Sequence, residues 1–556
     1  MRKLTIIIIW LCIFLAHNAW RTAQYAYANN IRVENVEFYQ SDSQPAGTVD
    51  IKFDVIWDNS YADETAAGQV DGNSAHYFDR AWIFVKYGTG DPTVWAHATL
   101  TSGGSLTTYN ATTHVGITSD GVGAFAKPGV GQTVRWSYTT DGLAGTETIK
   151  VRVMGIEMVY IPEGSFWVGD DLSTGTLRQT GSNIAANISA TGVAIKCEDT
   201  SHDDTQLEGD GIYVDGDGGI SKTAATETDM NTSFPTGYGA FYIMKYEVSQ
   251  GQYRDFLNML TRSQQQGRTY STVTTDAITN VYVMRNASTL AYRQGIRCPA
   301  SGNGTTDPIT FGCDLDADGT FDEATDGEWL ACNFLSWMDL AAFCDWAGLR
   351  PMTELEYEKA SRGGNATDNT VAGEYAWGTA YITGSDYTLS NGGANNEDIA
   401  NNYSTTENYG NCSWYDTVGD AGIDGPLRCG IFAGNAANTG RVTAGASYYG
   451  VMELSGNLWE RPVTIGNGGG VGGVTGGRDF EGTHGDGSLT TDGYADNSDW
   501  PGYSSTKVSG ATGSGFRGGL WIGSSSSARV SDRADAAHAR TSRYNRYGGR
   551  AVRTSP

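Results

Sequence analysis

Two kinds of hydrophobic spacing divide the chain into two parts. In the first part, apolar residues alternate with polar ones or form short runs between turn residues, and this spacing predicts β-strands. Several short strands at such intervals are typical of a β-sandwich of the immunoglobulin or fibronectin type. We therefore predict a sandwich over residues 29–155, acting as a spacer, a docking module or a plain packing partner. Its clearest strands are predicted at residues 31–38, 49–56, 81–87, 133–138 and 148–153.

The second part, residues 156–556, has a mixed pattern that predicts an α+β domain. Two strands are predicted at residues 158–169 and 240–248. Apolar residues at helical spacing predict helices at residues 249–260, about 329–346 and 351–362, with Ser249 and Thr353 as caps of the first and third. Long stretches between these segments have no periodicity, which is typical of functional loops or mobile surface. They lie at about residues 170–236, 262–328 and 380–445.

The composition indicates a folded protein that is rich in loops. The 74 glycines and the 18% of charged residues favour many turns and short strands. Disorder is the other interpretation of a glycine-rich chain, but disordered chains are poor in aromatic residues and this one has 15 tryptophans and 30 tyrosines. A length of 556 residues is enough for two or three domains, each with its own core.

The first 28 residues have the pattern of a secretory signal. Arg2 and Lys3 precede an apolar run over residues 4–16, and the small residues Ala26 and Ala28 suit cleavage after Ala28. The run is short for a bilayer span and no later run approaches one. We therefore expect a mature chain without a transmembrane segment, which is secreted, bound at the cell surface or periplasmic.

The predicted mature chain is strongly acidic and contains seven cysteines. Removing residues 1–28 takes three of the 37 basic residues and none of the 63 acidic ones, so the net charge changes from −26 to −29. Such a surface repels nucleic acid, for which we expect no binding, and suits divalent cations. In an oxidising compartment most of the seven cysteines should pair. Bridges from Cys412 to Cys429 and from Cys298 to Cys313 would close loops, although other pairings stay open.

Five motifs in the second part resemble those of a known family. They are EVSxxxY, GLRPMTELEYEKA, YAWG, YGVMELSGNLWE and FRGGxW, beginning at residues 247, 348, 375, 449 and 516. In this order they resemble the formylglycine-generating enzyme, or sulfatase-modifying factor (FGE-sulfatase), domain family over about residues 156–553. The resemblance implies an α+β domain with the C-type-lectin-like fold, in which short strands, two or three helices and long loops surround a small core.

The same resemblance makes copper chemistry unlikely in this chain. In catalytic members of the family, two cysteines after the Gly-Gly-x-Trp motif hold copper and oxidise a substrate cysteine. The matching positions here are Gly523 and Ala528, and neither can ligate copper(I), which needs soft thiolates. Six of the seven histidines follow residue 28 and are scattered singly, which disfavours an iron site as well. We therefore expect neither copper nor catalytic residues.

Calcium is the metal that the resemblance favours. The family binds it at one turn through two side-chain oxygens and two backbone carbonyls. Here Glu453 and Glu460 would supply the carboxylates and Gly456 and Leu458 the carbonyls, which is the hard-oxygen coordination that calcium prefers. A second family site would begin near Asn401, after which the sequence diverges. A solvated acidic turn is the alternative interpretation.

A separate acidic loop has part of an EF-hand pattern. Asp314, Asp316 and Asp318 stand at the first, third and fifth positions, with Gly319 at the sixth. The twelfth position is Thr325 instead of the usual glutamate. A calcium-bound loop and a plain acidic turn both fit this pattern.

The C-terminal segment, residues 516–553, has the composition of a recognition surface. Its middle is small, polar and aromatic, a mixture that combines rigid contact area with adaptable hydrogen bonding. It resembles the ligand-binding variants of this fold that diversity-generating retroelements mutate, with Arg529, Arg533 and Arg550 as framework residues paired with buried acids. The candidate ligand-binding residues are Trp521, Ser524, Ser525, Ser526, Asp535, His538, Thr541, Tyr544, Asn545 and Tyr547.

These observations predict an exported, non-catalytic protein that binds an extracellular protein or glycan through its C-terminal segment. Two other classes stay open. One is an enzyme, either a formylglycine-generating-type oxidase with other ligands or different chemistry in the same cleft. The other is a structural component of a cell-surface assembly. A polar surface without any partner is the simplest alternative.

Overall fold

The fold is seen in a computed structural model, which describes residues 31–39, 44–57, 79–91, 93–170, 177–179, 185–189, 194–197, 211–214, 231–270, 278–285, 287–299, 306–364, 368, 370–383, 387–415, 423–466 and 473–556. The predicted signal over residues 1–28 and the side chain of Cys197 lie outside this part of the chain. No helix among the described residues is both long and apolar enough to span a membrane.

The described residues form many short strands and few helices, which confirms the predicted α+β class. The strands are β1 (Arg32–Tyr39), β2 (Val49–Ile56), β3 (Asp79–Thr89), β4 (Val94–His97), β5 (Leu100–Gly104), β6 (Gly116–Ile117), β7 (Ala124–Ala126), β8 (Gly129–Trp136), β9 (Ile149–Ile161), β10 (Phe166–Val168), β11 (Leu177–Gln179), β12 (Ala186–Ile188), β13 (Ala194–Cys197), β14 (Gly211–Val214), β15 (Phe241–Met244), β16 (Ile296–Arg297), β17 (Gly312–Cys313), β18 (Arg350–Pro351), β19 (Tyr381–Thr383), β20 (Leu389–Ser390), β21 (Asp398–Ile399), β22 (Tyr409–Asn411), β23 (Tyr503–Ser504), β24 (Lys507–Val508) and β25 (Ala551–Thr554). The helices are α1 (Gln250–Leu257), α2 (Arg262–Arg268), α3 (Trp337–Trp346), α4 (Glu354–Arg362), α5 (Ile431–Gly434) and a 3-10 helix (Ser525–Ala528).

The N-terminal part forms two facing sheets, and all five predicted strands are present as β1, β2, β3, β8 and β9. One sheet has the order β1-β2-β8-β5, and the other contains β9-β3-β7-β6 with β4 paired to β3. Ile51 and Phe53 of β2 and Ile83 and Val85 of β3 are fully buried in the core between the sheets. Alternation along these strands therefore places their apolar side chains in one core, as the sequence pattern predicts.

The second sheet continues from the sandwich into the rest of the molecule. β9 pairs with β3 over eleven residue pairs and, at its far end, with β15. β15 pairs with the C-terminal strand β25, which in turn pairs with β18. The predicted domain boundary at residue 155 lies inside β9, so one strand contributes to both parts. As a division into domains, that boundary stays a prediction.

Side chains of β3 hold the two parts together across this sheet. The Trp82 indole donates a hydrogen bond to the carbonyl of Ala347 at 2.7 Å, and the Lys86 ammonium donates to the carbonyl of Trp346 at 2.7 Å. Both side chains are buried. Burial lowers the pKa of Lys86 well below its usual value. The N-terminal part thus packs directly against the end of α3.

The helices of the second part begin at capping boxes. Ser249, Thr261, Ser336 and Thr353 each accept a hydrogen bond from the third helical residue, which in turn binds the cap backbone. This arrangement satisfies N–H groups that the first turn leaves free. The caps predicted at Ser249 and Thr353 are therefore confirmed.

One helix prediction and one loop prediction need correction. The helix expected from about residue 329 begins only at Trp337, because Leu330 and Ala331 form bridges to Arg428 and Ser249 and Phe334 has a φ of +62°. Residues 329–335, WLACNFL, are apolar except for Asn333, so their pattern does not distinguish a helix from extended chain. α2 lies in a stretch without periodicity because its sequence, RSQQQGR, has no apolar stripe.

The two disulfide bridges considered from the sequence are absent. Cys298, Cys313, Cys412 and Cys429 are free, buried thiols. Cys412 packs with Trp377 in one apolar cluster, and Cys429 belongs to a different cluster. The short sequence separation within each predicted pair therefore does not bring the two sulfur atoms together.

Candidate functional site

The C-terminal segment is anchored at both ends. At its first end, Arg517 and Glu460 exchange backbone hydrogen bonds of 3.0 and 3.1 Å. At its second end, the carbonyls of Tyr544 and Tyr547 accept hydrogen bonds from the backbone just before α3, both at 3.0 Å. β25 then joins the central sheet. The middle of the segment is thus a loop region held between two fixed ends.

Two glycines let the first end pass close to the rest of the domain. Gly518 and Gly519 have φ angles of +87° and +82°, in the left-handed region that glycine tolerates best. A Cβ atom on Gly518 would lie 2.8 Å from the carbonyl oxygen of Leu454, and one on Gly519 would lie 2.8 Å from the Cα of Ala528. The Gly-Gly pair is therefore required by both backbone conformation and space.

Buried ion pairs hold the arginines of the segment. Arg517 donates to Glu354 at 2.7 Å and to Glu358 at 2.5 Å, and Arg533 donates to Glu354 at 2.7 Å. Burial raises the pKa of Glu354, but Arg533 and Arg517 more than offset this and lower it to about 2. Glu354 is therefore ionised at neutral pH and bridges two arginines of the segment.

The expectation of framework arginines paired with buried acids is confirmed for two residues. Arg533 binds Glu354, and Arg550 binds Glu460 at 2.5 Å. Arg529 is only half-buried. Its Nε atom lies near Gly373, where an added Cβ would come within 3.3 Å.

A pocket of about 510 Å³ opens at this segment. It brings together five of the ten predicted ligand-binding residues. These are Ser524, Asp535, His538, Tyr544 and Tyr547.

The other five predicted residues lie elsewhere. Trp521 is fully buried, and its indole donates a hydrogen bond to the carbonyl of Asn545 at 3.1 Å, so the two support the pocket from behind. Ser525, Ser526 and Thr541 are not among the lining residues. Ser526 and Thr541 are exposed, so they belong to the surface around the pocket.

Several lining residues were not predicted. Trp459 and Phe516 form part of an apolar cluster with Leu520 and Tyr547, and all four line the pocket. From sequence alone, an aromatic residue within such a motif is more readily interpreted as part of the core. Arg540 and Arg546 also line the pocket, and their position inside a polar stretch was the signal that could have indicated them.

The charge of the pocket is positive although the chain as a whole has a net charge of −26. The Arg546 guanidinium lies 4.9 Å from the ring centroid of Tyr544, and Arg461, beneath the lining, lies 4.6 Å from that of Phe516. The carboxylate of Asp535 contacts Nδ1 of the His538 imidazole. The one carboxylate among the lining residues therefore already has a partner.

Arg461 is buried beneath the pocket and has unused hydrogen-bonding capacity. Its Nη2 donates to the carbonyl of Arg540 at 2.5 Å, while Nε and Nη1 are buried without a hydrogen-bond partner among the described residues. Burial lowers the pKa of Arg461 to about 9, which still leaves it charged at neutral pH. It adds positive charge behind the aromatic lining.

One of the two positions that match the copper cysteines lies at this pocket. Gly523 lines it, and Ala528 is fully buried in a cluster with Tyr375 and Trp377. The lining residues include no cysteine. Small residues thus stand at both matching positions, and Gly523 borders a polar and aromatic cavity.

The turn expected to bind calcium contains two buried carboxylates. Glu453 accepts a hydrogen bond from the backbone N–H of Gly430 at 2.7 Å, and Glu460 pairs with Arg550. The second oxygen of each carboxylate, Oε2, is buried without a hydrogen-bond partner among the described residues. Burial raises the pKa of Glu453 to about 7 and also raises that of Glu460.

This turn fits a divalent cation. Within the described part of the chain, neither the carbonyl of Gly456 nor that of Leu458 accepts a backbone hydrogen bond. Two orphaned carboxylate oxygens and two unused carbonyls are hard ligands of the kind that calcium takes. The second family site is different, since Asn401 is exposed and its side-chain oxygen already accepts a hydrogen bond from Thr388 at 2.6 Å.

The acids of the EF-hand-like loop lie close together, but not in the predicted combination. Carboxylate oxygens of Asp314, Asp316 and Asp326 lie within 4.8 Å of one another. Asp318 instead groups with Asp316 and Glu323. Asp326 was not predicted from the sequence, because it stands one position beyond the twelfth residue of the EF-hand pattern.

The fold and the anchored C-terminal pocket define an α+β domain of the formylglycine-generating-enzyme type. The family model of the sulfatase-modifying factor enzyme 1-like domain matches residues 198–555, and the chain belongs to this family. A search of curated proteins gives no significant match. The family match begins after the predicted boundary at residue 156, so β9 and β10 lie before it.

Proposed function

We propose that this chain is an exported, non-catalytic binding protein that recognises an extracellular protein or glycan through its C-terminal segment. The pocket of about 510 Å³ at that segment is the observation that supports the proposal most. Its lining residue Gly523 matches, by resemblance, one of the two copper cysteines of catalytic members, and the pocket offers aromatic, hydroxyl and charged groups instead of thiols. Such a set of side chains suits binding better than cysteine oxidation.

The charges of the pocket favour an anionic group in the ligand. Arg540 and Arg546 line the pocket and Arg461 lies beneath it, whereas Asp535 is already paired with His538. A guanidinium group binds carboxylate and sulfate oxygens through paired hydrogen bonds. An acidic glycan, or an acidic loop of a protein, would therefore suit this site.

Binding arrays with matched variants test this proposal. The chain from residue 29 onward is labelled and applied to an array of neutral and acidic glycans and to an array of extracellular proteins. We expect an acidic ligand whose affinity falls at least about tenfold, or about 1.4 kcal/mol, in Tyr544→Ala and in Arg546→Ala. Tyr415→Ala is the control, because Tyr415 is 60% exposed and does not line the pocket.

The competing functions have distinct signatures. Copper in the purified chain together with oxidation of a cysteine-containing peptide would contradict a binding role. Self-association of the purified chain would instead favour a structural component of an assembly. Equal binding by Tyr544→Ala, Arg546→Ala and wild type would place the recognition surface elsewhere.

We also propose that calcium binds at the turn of Glu453 and Glu460, with the carbonyls of Gly456 and Leu458. A cation there would further offset the buried negative charge of the two carboxylates, of which Glu460 pairs with Arg550 and Glu453 lies near Arg550 and Arg428. Glu453→Gln keeps the shape of the side chain and removes its charge. We expect this variant to bind one calcium ion fewer per chain than wild type, as measured by elemental analysis.

Glu407→Gln is the control for this measurement, because Glu407 is an exposed acid. The control variant should bind as much calcium as wild type. Equal calcium content in wild type and Glu453→Gln would contradict the proposal.

A further inference from the structure

The acidic loop over residues 314–326 contains more carboxylates than its basic neighbours balance. Arg297 forms an ion pair with Asp314, and Arg254 of α1 forms one with Asp322 at 2.6 Å. Among the described residues, no lysine or arginine forms an ion pair with the remaining acids. The remaining acids are Asp316, Asp318, Glu323 and Asp326.

Asp326 is the acid that the protein itself leaves unsatisfied. It is fully buried, with 0% of its surface exposed. Its Oδ2 accepts a hydrogen bond from the backbone N–H of Glu323 at 2.7 Å, whereas Oδ1 is buried and has no partner among the described residues. A buried carboxylate oxygen without a donor costs free energy unless something else neutralises it.

The unsatisfied carboxylate is part of a compact group. One carboxylate oxygen from each of Asp314, Asp316 and Asp326 lies within 4.8 Å of the other two. The loop backbone holds this arrangement, since Gly319 N–H donates to Asp314 at 3.4 Å and the Thr325 hydroxyl donates to Asp316 at 3.0 Å. Three carboxylates this close repel one another strongly in the absence of a cation.

We propose that this loop binds one calcium ion through Asp314, Asp316 and Asp326. The ligands come from the first, third and thirteenth positions of the loop, so Asp326 replaces the glutamate that an EF-hand has at its twelfth position. Calcium suits the site because it accepts carboxylate oxygens in irregular arrangements and at high coordination number. Magnesium is less suited, since it requires near-ideal octahedral geometry.

The ion would fix this loop to the helical part of the domain. Asp322 lies inside the same loop and accepts hydrogen bonds from Arg254 of α1 at 2.6 Å and from the backbone N–H of Cys313 at 2.9 Å. β17 packs directly against α1. Binding of calcium to both ends of the loop would therefore stabilise its contacts with α1 as well.

Calcium stoichiometry and thermal stability test this site in the full chain. We expect Asp326→Asn to bind one calcium ion fewer per chain than wild type by elemental analysis and titration calorimetry. Asp316→Asn, at an exposed position, serves as a second variant. It should weaken the affinity for the same calcium ion at least about tenfold. Asp307→Asn, an exposed acid outside the group, should bind calcium as wild type does.

The melting temperature distinguishes a calcium ligand from a residue that has only a structural role. In excess calcium, Asp326→Asn should melt below wild type, because it lacks the bound ion. In a chelator it should melt at the same temperature as wild type or higher, because one of the mutually repelling carboxylates is gone. A decrease of equal size in calcium and in chelator, or an unchanged calcium content in both Asp326→Asn and Asp316→Asn, would overturn the proposal.

The two proposed calcium sites can be told apart with the same measurements. Glu453→Gln should keep the ion at Asp326, and Asp326→Asn should keep the ion at Glu453. A variant with both changes should bind two ions fewer than wild type.

Discussion

Glu354 is the single residue on which the anchoring of the C-terminal segment depends most. It accepts hydrogen bonds from Arg517 and Arg533, and also from the backbone N–H of Ile465 at 2.8 Å. All three partners are buried. A buried acid that joins two buried arginines is costly to remove, because Arg533 then loses its ion-pair partner and Arg517 keeps only Glu358.

We expect Glu354→Gln to lower the free energy of unfolding by about 3–5 kcal/mol at pH 7. The effect should depend on pH in a defined direction. The pKa of Glu354 is lowered from 4.5 to about 2 in the folded chain, so its charge stabilises the fold above about pH 4.5. That stabilisation is lost as the pH falls from 4.5 towards 2, and the difference from wild type should shrink over this range.

Urea unfolding between pH 3 and pH 7 measures this difference. Glu37→Gln is the control, since its exposed side chain pairs only with the exposed Lys52. It should change the free energy of unfolding by less than about 0.5 kcal/mol. A penalty for Glu354→Gln that stays constant across this pH range would argue against an ionised Glu354.

Single residues were predictable where the chemistry is local. The caps Ser249 and Thr353 and the role of Arg533 and Arg550 follow from spacing and motif. The partners of these arginines do not, because Glu354 is 179 residues away in sequence from Arg533. Trp521 and Asn545 were predicted as ligand contacts because tryptophan and asparagine occur in binding surfaces, but their mutual hydrogen bond places both behind the pocket.

At the scale of elements, α3 connects the helical core to the C-terminal segment. Asp339, in its first turn, is fully buried and binds Arg268 of α2 at 3.0 Å. It also binds Arg543 through two hydrogen bonds of 2.6 Å each. Arg543 lies between His538 and Tyr544, so this one helix terminus sets the position of two pocket residues.

We expect Asp339→Asn to loosen the part of the segment that follows His538. The change keeps the side-chain shape but leaves two arginines without their buried counter-charge, which costs about 3–5 kcal/mol. Hydrogen exchange should become faster at residues 538–548, and ligand affinity at the pocket should decrease. Asp368→Asn, at an exposed acid, is the control. Unchanged exchange at residues 538–548 in Asp339→Asn would show that the segment is held by other contacts.

Elements were predictable in proportion to their amphipathic pattern. The five long strands of the N-terminal part and the helices α1 and α4 carry clear periodicity and caps. α2 is polar throughout, and residues 329–335 are apolar except for Asn333, so their patterns do not distinguish helix from extended chain. The pocket itself could be predicted only as a segment, because the sequence does not show which side chains of residues 516–553 meet around a cavity or that Trp459, from a separate motif, completes the lining.

At the scale of the whole molecule, the two parts share one sheet and several buried contacts. β9 passes from one part into the other, and Trp82 and Lys86 reach across to the end of α3. Lys245, beside β15, forms ion pairs with Asp79 of β3 at 2.6 Å and Glu157 of β9 at 2.8 Å. The sequence pattern changes near residue 156, but a strand can continue through such a change because pairing depends on the backbone.

This continuity predicts that both parts unfold together. We expect a single calorimetric transition for the chain, and we expect Trp82→Ala to destabilise both parts by about 3–5 kcal/mol. The reason is that the Trp82 ring is fully buried between β3 and the end of α3 and donates its hydrogen bond to Ala347. Hydrogen exchange measures the two parts separately, through the amides of β2 and those of α3.

In Trp82→Ala, protection should fall by the same factor in β2 and in α3, because opening of either element requires the same cooperative unfolding. Val130→Ala is the control, since Val130 is 82% exposed and should leave both regions unchanged. Two resolved transitions, with loss of protection confined to β2, would mean that the parts are separate folding units. The sheet that runs through β9 would then be an interface between two domains, and the boundary predicted at residue 155 would mark a real division in stability.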